Sequence, residues 1–373
     1  MIDFRYHLVS IIAVFLALTV GLALGTTMLQ DPLLNTLQSE TADLRGQSEE
    51  LRLERDAAER VNEGADELSE AAAEDLLEDR LHGLGVAVVV APGADEDMAA
   101  ALSSRVEDAG GEVVGRISFT EEFPDEANAA FVDELAVQVS SEELSGGAYV
   151  KSATLIGGAL ARAEEESDGD EESGGEGNDG NDGNGRESAD DEEGSGDRDG
   201  EDSDGGNAAD PEAVLSAYTE ADLIVVEGDP AGAADAVVVV APSVDGVEGD
   251  PERTNTVVAT VAGTLREEVG PTVLAGDTRS GQDQGLIAQV RVHEPAYATV
   301  DVAGRPMGDI VTVLALADSL ERDGAAYGVG EGVEGFVPSP LPGPLSDGSQ
   351  DSDGDGEASE RPDDEARRAT GGE

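Results

Sequence analysis

One uncharged, apolar stretch near the amino terminus limits what this chain can fold into more than any other feature does. Leu8 to Gln30 is a run of 23 residues without a charged side chain. As a helix that rises about 1.5 Å per residue it would span roughly 35 Å, enough to cross a hydrocarbon core about 30 Å thick. We therefore predict a transmembrane helix over residues 8–30.

The side chains that would contact lipid are the large apolar ones of this stretch. The predicted membrane-anchoring residues are Leu8, Ile11, Ile12, Val14, Phe15, Leu16, Leu18, Val20, Leu22 and Leu24. Arg5 lies in the short segment before the stretch, and basic residues beside a membrane span favour the cytoplasmic side. The expected topology is single-pass in the cell membrane, with a cytoplasmic amino terminus and an extracytoplasmic head.

A cleaved signal peptide is the alternative to an anchor. Ala23-Leu24-Gly25 resembles a small-x-small cleavage site. The apolar run is longer than the 7–15 residues of a typical signal-peptide core, and Met28 and Leu29 extend it past that site. Both interpretations place the rest of the chain outside the cytoplasm.

A helical stalk is predicted over residues 33–81, with Pro32 in the first turn of a new helix. Leu37, Leu44, Leu51 and Ala58 recur every seven residues and form one seam of a heptad pattern. The second seam, read through Thr41, Ser48 and Arg55, is polar. The pattern predicts a weak coiled coil that makes the protein a homo-oligomer, and a lone solvated helix is the alternative.

The remaining chain alternates strands with helices. Val86 to Gly93 reads as a strand buried on both faces, Asp95 to Ala109 as a helix and Glu112 to Phe119 as the next strand. A second half repeats this alternation, with Ala221 to Gly228 and Ala236 to Ser243 as buried strands and Pro211 to Glu220 and Gln282 to Val292 as helices. Such alternation predicts a Rossmann-like α/β head with a mostly parallel sheet.

Two acidic, low-complexity tracts interrupt and follow the head. The predicted organisation is a cytoplasmic segment (1–7), the membrane helix (8–30), the stalk (33–81), two halves of the head (84–163 and 211–342), an acidic insert (164–210) and an acidic tail (343–373). The insert has no Val, Ile, Leu, Met or aromatic residue. It cannot contribute to a hydrophobic core, and we predict that insert and tail are disordered.

The charge balance excludes some partners. The chain has 84 acidic and 21 basic residues, a formal net charge of −63, which repels nucleic acid. The two acidic tracts carry −26 of it, so −37 stays on the remainder. Concentrated salt screens such self-repulsion, with a Debye length of about 3 Å at 1 M, so the composition predicts a salt-adapted, halophilic protein. Solubility of an exported protein is the alternative reason for these acids.

Catalytic, cofactor and metal sites are not predicted. The absence of cysteine excludes disulfides, zinc-thiolate sites and thiol catalysis. The glycines of GLGVAVVVAPG precede the strand, whereas a dinucleotide site needs them after it. His293-Glu294 could orient an imidazole for general base catalysis, but no nucleophile motif accompanies it. The four methionines are scattered in the sequence, and the acidic insert lacks the spacing of a calcium loop.

Two stretches resemble the MctB family of actinobacterial copper transport proteins. At the amino terminus the matching residues are Val9-Ser10, Ala13 to Leu18, Gly21, Leu24 and Gly25. Near the carboxyl terminus they are Thr299-Val300-Asp301, Gly308, a leucine-rich helix and the final motif from Gly324 to Gly328. The resemblance covers about residues 1–340, apart from the acidic insert.

The resemblance implies a role in copper efflux or homeostasis, with copper ion as a partner. We expect a non-enzymatic envelope protein without a cofactor. The alternative is a structural scaffold in which the anchored stalk presents a head that binds another envelope protein.

Overall fold

A computed structural model describes residues 3–140, 143–162, 210–247 and 249–345. The chain divides into two compact units, 1–72 and 73–373. Most of the acidic insert (164–210) and of the acidic tail (343–373) therefore lies outside the described residues, and their predicted disorder stays a prediction.

The first helix, α1, runs from Asp3 to Leu77 without interruption. The expectation that a new helix begins at Pro32 is wrong, because the helical backbone continues through that residue. A proline removes its own N–H from the helical ladder and crowds the preceding turn, at a cost of about 3 kcal/mol, but it does not prevent the chain from remaining helical. Gly46 and Gly64 also lie inside α1, where each costs about 1 kcal/mol relative to alanine.

Seven strands and seven further helices make up the described part of the second unit. The helices are α2 (Glu96–Asp108), α3 (Ala129–Val139), α4 (Ala148–Leu160), α5 (Pro211–Glu220), α6 (Pro251–Glu268), α7 (Leu286–Arg291) and α8 (Pro306–Asp318). The strands are β1 (Gly85–Val90), β2 (Glu112–Phe119), β3 (Ile224–Gly228), β4 (Ala236–Val240), β5 (Thr272–Ala275), β6 (Ala298–Val300) and β7 (Ala326–Tyr327).

The strands form one sheet in the order β3-β2-β1-β4-β5-β6-β7. Every neighbouring pair is parallel except β2 and β3, which are antiparallel. The central order is that of a doubly wound α/β fold. A mixed α/β fold with a mostly parallel sheet is therefore confirmed.

Some elements differ from their predictions. The strand predicted over Ala221–Gly228 is shorter, and it lies at the sheet edge with Val225 exposed rather than buried on both faces. The helix predicted over Gln282–Val292 begins only at Leu286, because an irregular segment with Gly285 as its last residue precedes it. The short strand β7 was not predicted, since two residues leave no periodic signal.

The central strands are apolar on both faces. In β1, Val86, Val88 and Val90 face one core cluster. Ala87 and Val89 of the same strand face the other. Helices α2 and α8 cover the first face, and α3 to α7 cover the second. Ala73, Leu77 and Leu81 are buried in the first cluster, so the head's core begins inside the range predicted for the stalk.

The connection through α8 has the opposite hand from its neighbours. From β1 to β2 the chain moves toward the β3 edge of the sheet, and α2 lies on the first face. From β4 through β5 to β6 it moves toward the β7 edge, and α6 and α7 lie on the second face. These connections share one hand. The step from β6 to β7 also moves toward the β7 edge, but its helix, α8, lies on the first face. Because nearly all parallel crossovers are right-handed, β6-α8-β7 is the left-handed exception.

The acidic insert joins the head at two well-defined points. Before it, the Arg162 guanidinium pairs with Asp235 at 2.7 Å. After it, the Asp210 side chain caps α5 by accepting from the Glu212 backbone N–H at 3.2 Å. The insert can therefore be exchanged without altering a described contact if Arg162 and Asp210 are kept.

We predict that replacing residues 164–209 by a short Gly/Ser linker leaves the head's melting temperature at low salt unchanged or higher. The replaced tract has no large apolar side chain to contribute, and its removal takes away net negative charge. Scanning calorimetry checks this. A matched variant that also carries Asp210→Ala should lose about 1 kcal/mol through the missing cap. Loss of the cooperative transition in the linker variant alone would show that the tract is structural.

Candidate functional site

The amino-terminal part of α1 is apolar enough to enter a membrane. Phe4–Gly25 forms a helical segment of 22 residues that is long and apolar enough to cross a bilayer. Its apolar part is not buried against other described residues of the protein. All ten predicted anchoring side chains, from Leu8 to Leu24, are exposed. Their transfer from water into hydrocarbon would be worth about 1.5–3 kcal/mol each.

One polar side chain of this segment is hydrogen-bonded within its own helix. The Thr19 hydroxyl donates to the backbone carbonyls of Phe15 and Leu16, at 3.0 and 2.9 Å. A hydroxyl that is satisfied within its own helix costs little in hydrocarbon. Phe4 and Tyr6 lie at the amino-terminal end, where aromatic side chains favour a membrane–water interface.

The predicted stalk seam lies partly within the described side chains. Leu44, Leu51 and Ala58 are exposed on α1, whereas Leu37 falls among residues whose side chains are not described. A single chain does not test association, so the coiled coil and the homo-oligomer stay predictions at this point.

The usual ligand crevice of a doubly wound sheet is closed. It would lie at the carboxyl ends of β1 and β4, where the direction of chain progress along the sheet reverses. There the Ser243 backbone N–H donates to the Gly93 carbonyl at 3.1 Å. A Cβ on Gly93 would lie only 2.6 Å from the Gly246 carbonyl oxygen. The two loops therefore pack backbone to backbone at this point.

A buried ion pair lies at the carboxyl end of β6. The Asp301 side chain is 0% exposed and that of Arg291 is 5% exposed, and the two pair directly. The Asp301 carboxylate also accepts from the backbone N–H groups of Val329 and Gly330, at 2.8 and 2.9 Å. Arg291 donates to the Thr299 hydroxyl at 3.0 Å as well. This clamp holds the loop after β7 against the sheet.

Glycines make room for the clamp. A Cβ on Gly328, which has φ +124°, would lie 1.8 Å from an Asp301 carboxylate oxygen. A Cβ on Gly281 or Gly330 would lie 2.5 Å from the other oxygen. Sequence reasoning noted Asp301 and Gly328 only as parts of a resemblance. Arg291 was missed, since an arginine at a helix end gives no signal that it will be buried.

Buried tyrosines keep their protons near this region. The Tyr327 hydroxyl donates to Asp318 at 2.6 Å. Burial raises the Tyr327 pKa strongly, and the neighbouring Asp318 carboxylate adds to the shift. Burial also raises the pKa of Tyr297 to about 12. These phenols act as structural donors and apolar surface rather than as bases at neutral pH.

The two histidines of the head lie at the ends of different helices. His82 lies 3.6 Å from Asp79 after the end of α1, and the His293 Nδ1 lies 3.3 Å from the Gln289 carbonyl after α7. Met98 is buried beside Gly304. Within the described ranges, no group of three or more His, Asp or Glu side chains is arranged to hold a metal ion.

We predict that Asp301→Asn destabilises the head by about 3–5 kcal/mol, because it leaves the buried Arg291 without its counter-charge. Urea unfolding followed by circular dichroism measures the change. The matched control is Asp245→Asn, which breaks the exposed ion pair between Arg279 and Asp245 and should cost less than about 1 kcal/mol. Equal effects of the two substitutions would contradict the clamp.

Comparison with known proteins identifies a family and several similar proteins. A family model described as "Copper transport outer membrane protein, MctB" matches residues 1–338. Proteins named copper transporter MctB from Mycobacterium tuberculosis and Mycobacterium bovis are 38% identical over 152 residues, 41% of this chain and 48% of each relative. The protein of that name from Mycobacterium leprae is 36% identical over 152 residues, 41% of this chain and 47% of the relative. The chain thus aligns with about half the length of these curated relatives.

Proposed function

The chain belongs to the MctB family, and on that premise we propose that it is a membrane-anchored, non-enzymatic envelope protein that serves copper efflux or homeostasis. The observation that carries the proposal is the apolar helix Phe4–Gly25, which lies inside the family match. The copper assignment comes from the names of the family and of the relatives. The anchoring comes from the residues of this chain.

The proposal treats the protein as a component of a copper route rather than a conduit by itself. One spanning helix cannot enclose a path for an ion, and the head carries no cluster of metal ligands in its described residues. The closed crevice between β1 and β4 supports a head without enzymatic activity. Copper would be cargo of the assembly to which the protein contributes.

A structural scaffold is the second candidate. The exposed apolar side chains along α1, such as Leu44 and Leu51, favour a role in assembly rather than in metal binding. Copper sensitivity of a deletion strain separates the two functions. A strain that tolerates copper as well as its parent would favour the scaffold.

We predict that the full-length protein stays in the membrane pellet through a carbonate wash, and that protease added to intact cells digests the head. The apolar surface of 8–24 gives the anchor, and the short segment with Arg5 places the amino terminus in the cytoplasm. Immunoblotting of the fractions checks both points. A control with Leu16→Arg and Leu18→Arg should move to the soluble fraction. A soluble native product that begins near Thr26 would instead identify a cleaved signal peptide.

We also predict that the isolated head binds copper(I) no tighter than about micromolar, a free energy of roughly −8 kcal/mol. Soft copper(I) prefers thiolate or thioether ligands in groups, and the head has no cysteine and only single imidazoles at His82 and His293. Residues 73–345 with a linker in place of 164–209 are the protein to test, by competition with a calibrated copper(I) chelator. Nanomolar, stoichiometric binding that disappears in His293→Ala but not in His82→Ala would make the head a copper site and contradict the prediction.

A further inference from the structure

Among the residues that the structure describes, α1 has a stripe of exposed apolar side chains. We call this the α1 stripe; it consists of Leu44, Leu51, Ala58, Val61 and Leu68. Its four large members are 65–71% exposed. The residues lie seven apart, or three apart in the step from Ala58 to Val61, so they share one side of a helix with about 3.6 residues per turn. In heptad terms they occupy the a and d positions of a seam that drifts slowly around the helix, as in a left-handed supercoil.

The side of α1 that lies four residues after each seam position does not supply a second apolar seam. Read through Thr41, Ser48 and Arg55, four residues after each seam position, that side is polar. Val61 and Leu68, three residues after Ala58 and Ala65, form the apolar partner instead, and both are exposed on α1. Gln47 and Glu54 take the same positions in the earlier heptads. The stripe is therefore continuous only when both kinds of spacing are combined.

Charged residues flank the α1 stripe asymmetrically. Asp43 and Glu50 precede Leu44 and Leu51 and occupy the g positions on one flank. Arg55 occupies an e position on the other flank, where its described partner is the adjacent Asp56 at 2.8 Å. That pair is exposed and local, and pairs of this kind contribute at most about 1 kcal/mol. Arg55 can exchange such a partner at little cost.

This asymmetry distinguishes the possible orientations of two packed helices. In a parallel pair, the g position of one helix meets the e position of the next heptad of the other. Glu50 of one copy would then meet Arg55 of the second, twice by symmetry. In an antiparallel pair, g faces g and e faces e, so the two Glu50–Arg55 contacts are lost. The Glu50–Arg55 contacts are therefore possible only in the parallel arrangement.

We propose that the α1 stripe is the seam of a parallel, in-register dimer with a second copy of this chain, held in register by reciprocal Glu50–Arg55 ion pairs. The inference rests on the proposed anchoring in one respect, since two copies inserted with the same topology present their α1 helices in parallel. Anchoring also raises the effective concentration of the second copy, which compensates for a short seam. Glu54 at a d position weakens the seam, as polar core residues do where they set the register.

The test uses the absence of cysteine in the natural chain. Leu44→Cys and Val61→Cys are introduced separately into the full-length protein in lipid vesicles and oxidised with diamide. In a parallel, in-register dimer both positions lie next to their own counterparts, so each variant forms a disulfide-linked dimer. In an antiparallel pair, same-residue cross-links form at only one crossing point, and the two positions are about 25 Å apart along the helix.

Leu53→Cys is the matched control, because Leu53 is 70% exposed on the opposite side of the same helix. We expect the two stripe variants to cross-link several-fold faster than this control. Glu50→Arg should slow cross-linking of Leu44→Cys, and adding Arg55→Glu should restore the rate, while circular dichroism verifies that the variants remain helical. Equal rates for stripe and control positions, or cross-linking at only one of the two stripe positions, would overturn the proposal.

The outcomes also separate this dimer from the proposed anchoring. If the protein dissolves in the carbonate wash but both stripe variants still cross-link, the anchor fails and the dimer stands. If the protein stays in the membrane pellet and the stripe variants behave like Leu53→Cys, the anchor stands and the dimer fails.

Discussion

The central strands of the head are apolar on both faces, and the need to cover both faces determines most of its architecture. Valine and alanine alternate between two core clusters along β1 and β4. A strand of this kind is stable only between two helical layers. Helices α3 to α7 form one layer, but α2 covers only part of the other face. The remaining part, over β5 and β6, is covered by α8.

The position of α8 has consequences at the edge of the sheet. Because α8 lies on the face of α2, the chain reaches β7 by a left-handed connection, and β7 is only two residues long. The second face near β6 has the short helix α7 beside it. The polar clamp of Arg291 and Asp301 completes the packing there, and it joins α7, β6 and the loop after β7. A buried ion pair contributes little net stability, but separating its partners would leave a buried charge uncompensated. The pair therefore favours a single arrangement of this edge.

The same constraints bear on function. Where related folds bind nucleotides, this head is filled by the contact between Gly93 and Gly246, and the polar groups at the end of β6 are used by the clamp. The described part of α1 has exposed apolar side chains in two places. Phe4–Gly25 is the proposed membrane anchor, and the α1 stripe is the proposed seam of a dimer.

The sequence alone determined the features that depend on local composition and period. The uncharged run of 8–30, the helix Pro211–Glu220 and the strand Glu112–Phe119 could be read directly, because apolar runs, caps and strand patterns act over a few residues. The family resemblance identified Asp301 and Gly308 without a physical reason for either. Only the tertiary structure decided that Val225 lies at an edge, that Arg291 is buried against Asp301, and that a Cβ at Gly308 would strike the Val302 carbonyl. The edge position of Val225 follows from the sheet order, and the other two contacts follow from how the segments on either side of β6 fold against each other. The spacing and propensity of the residues contain neither kind of information.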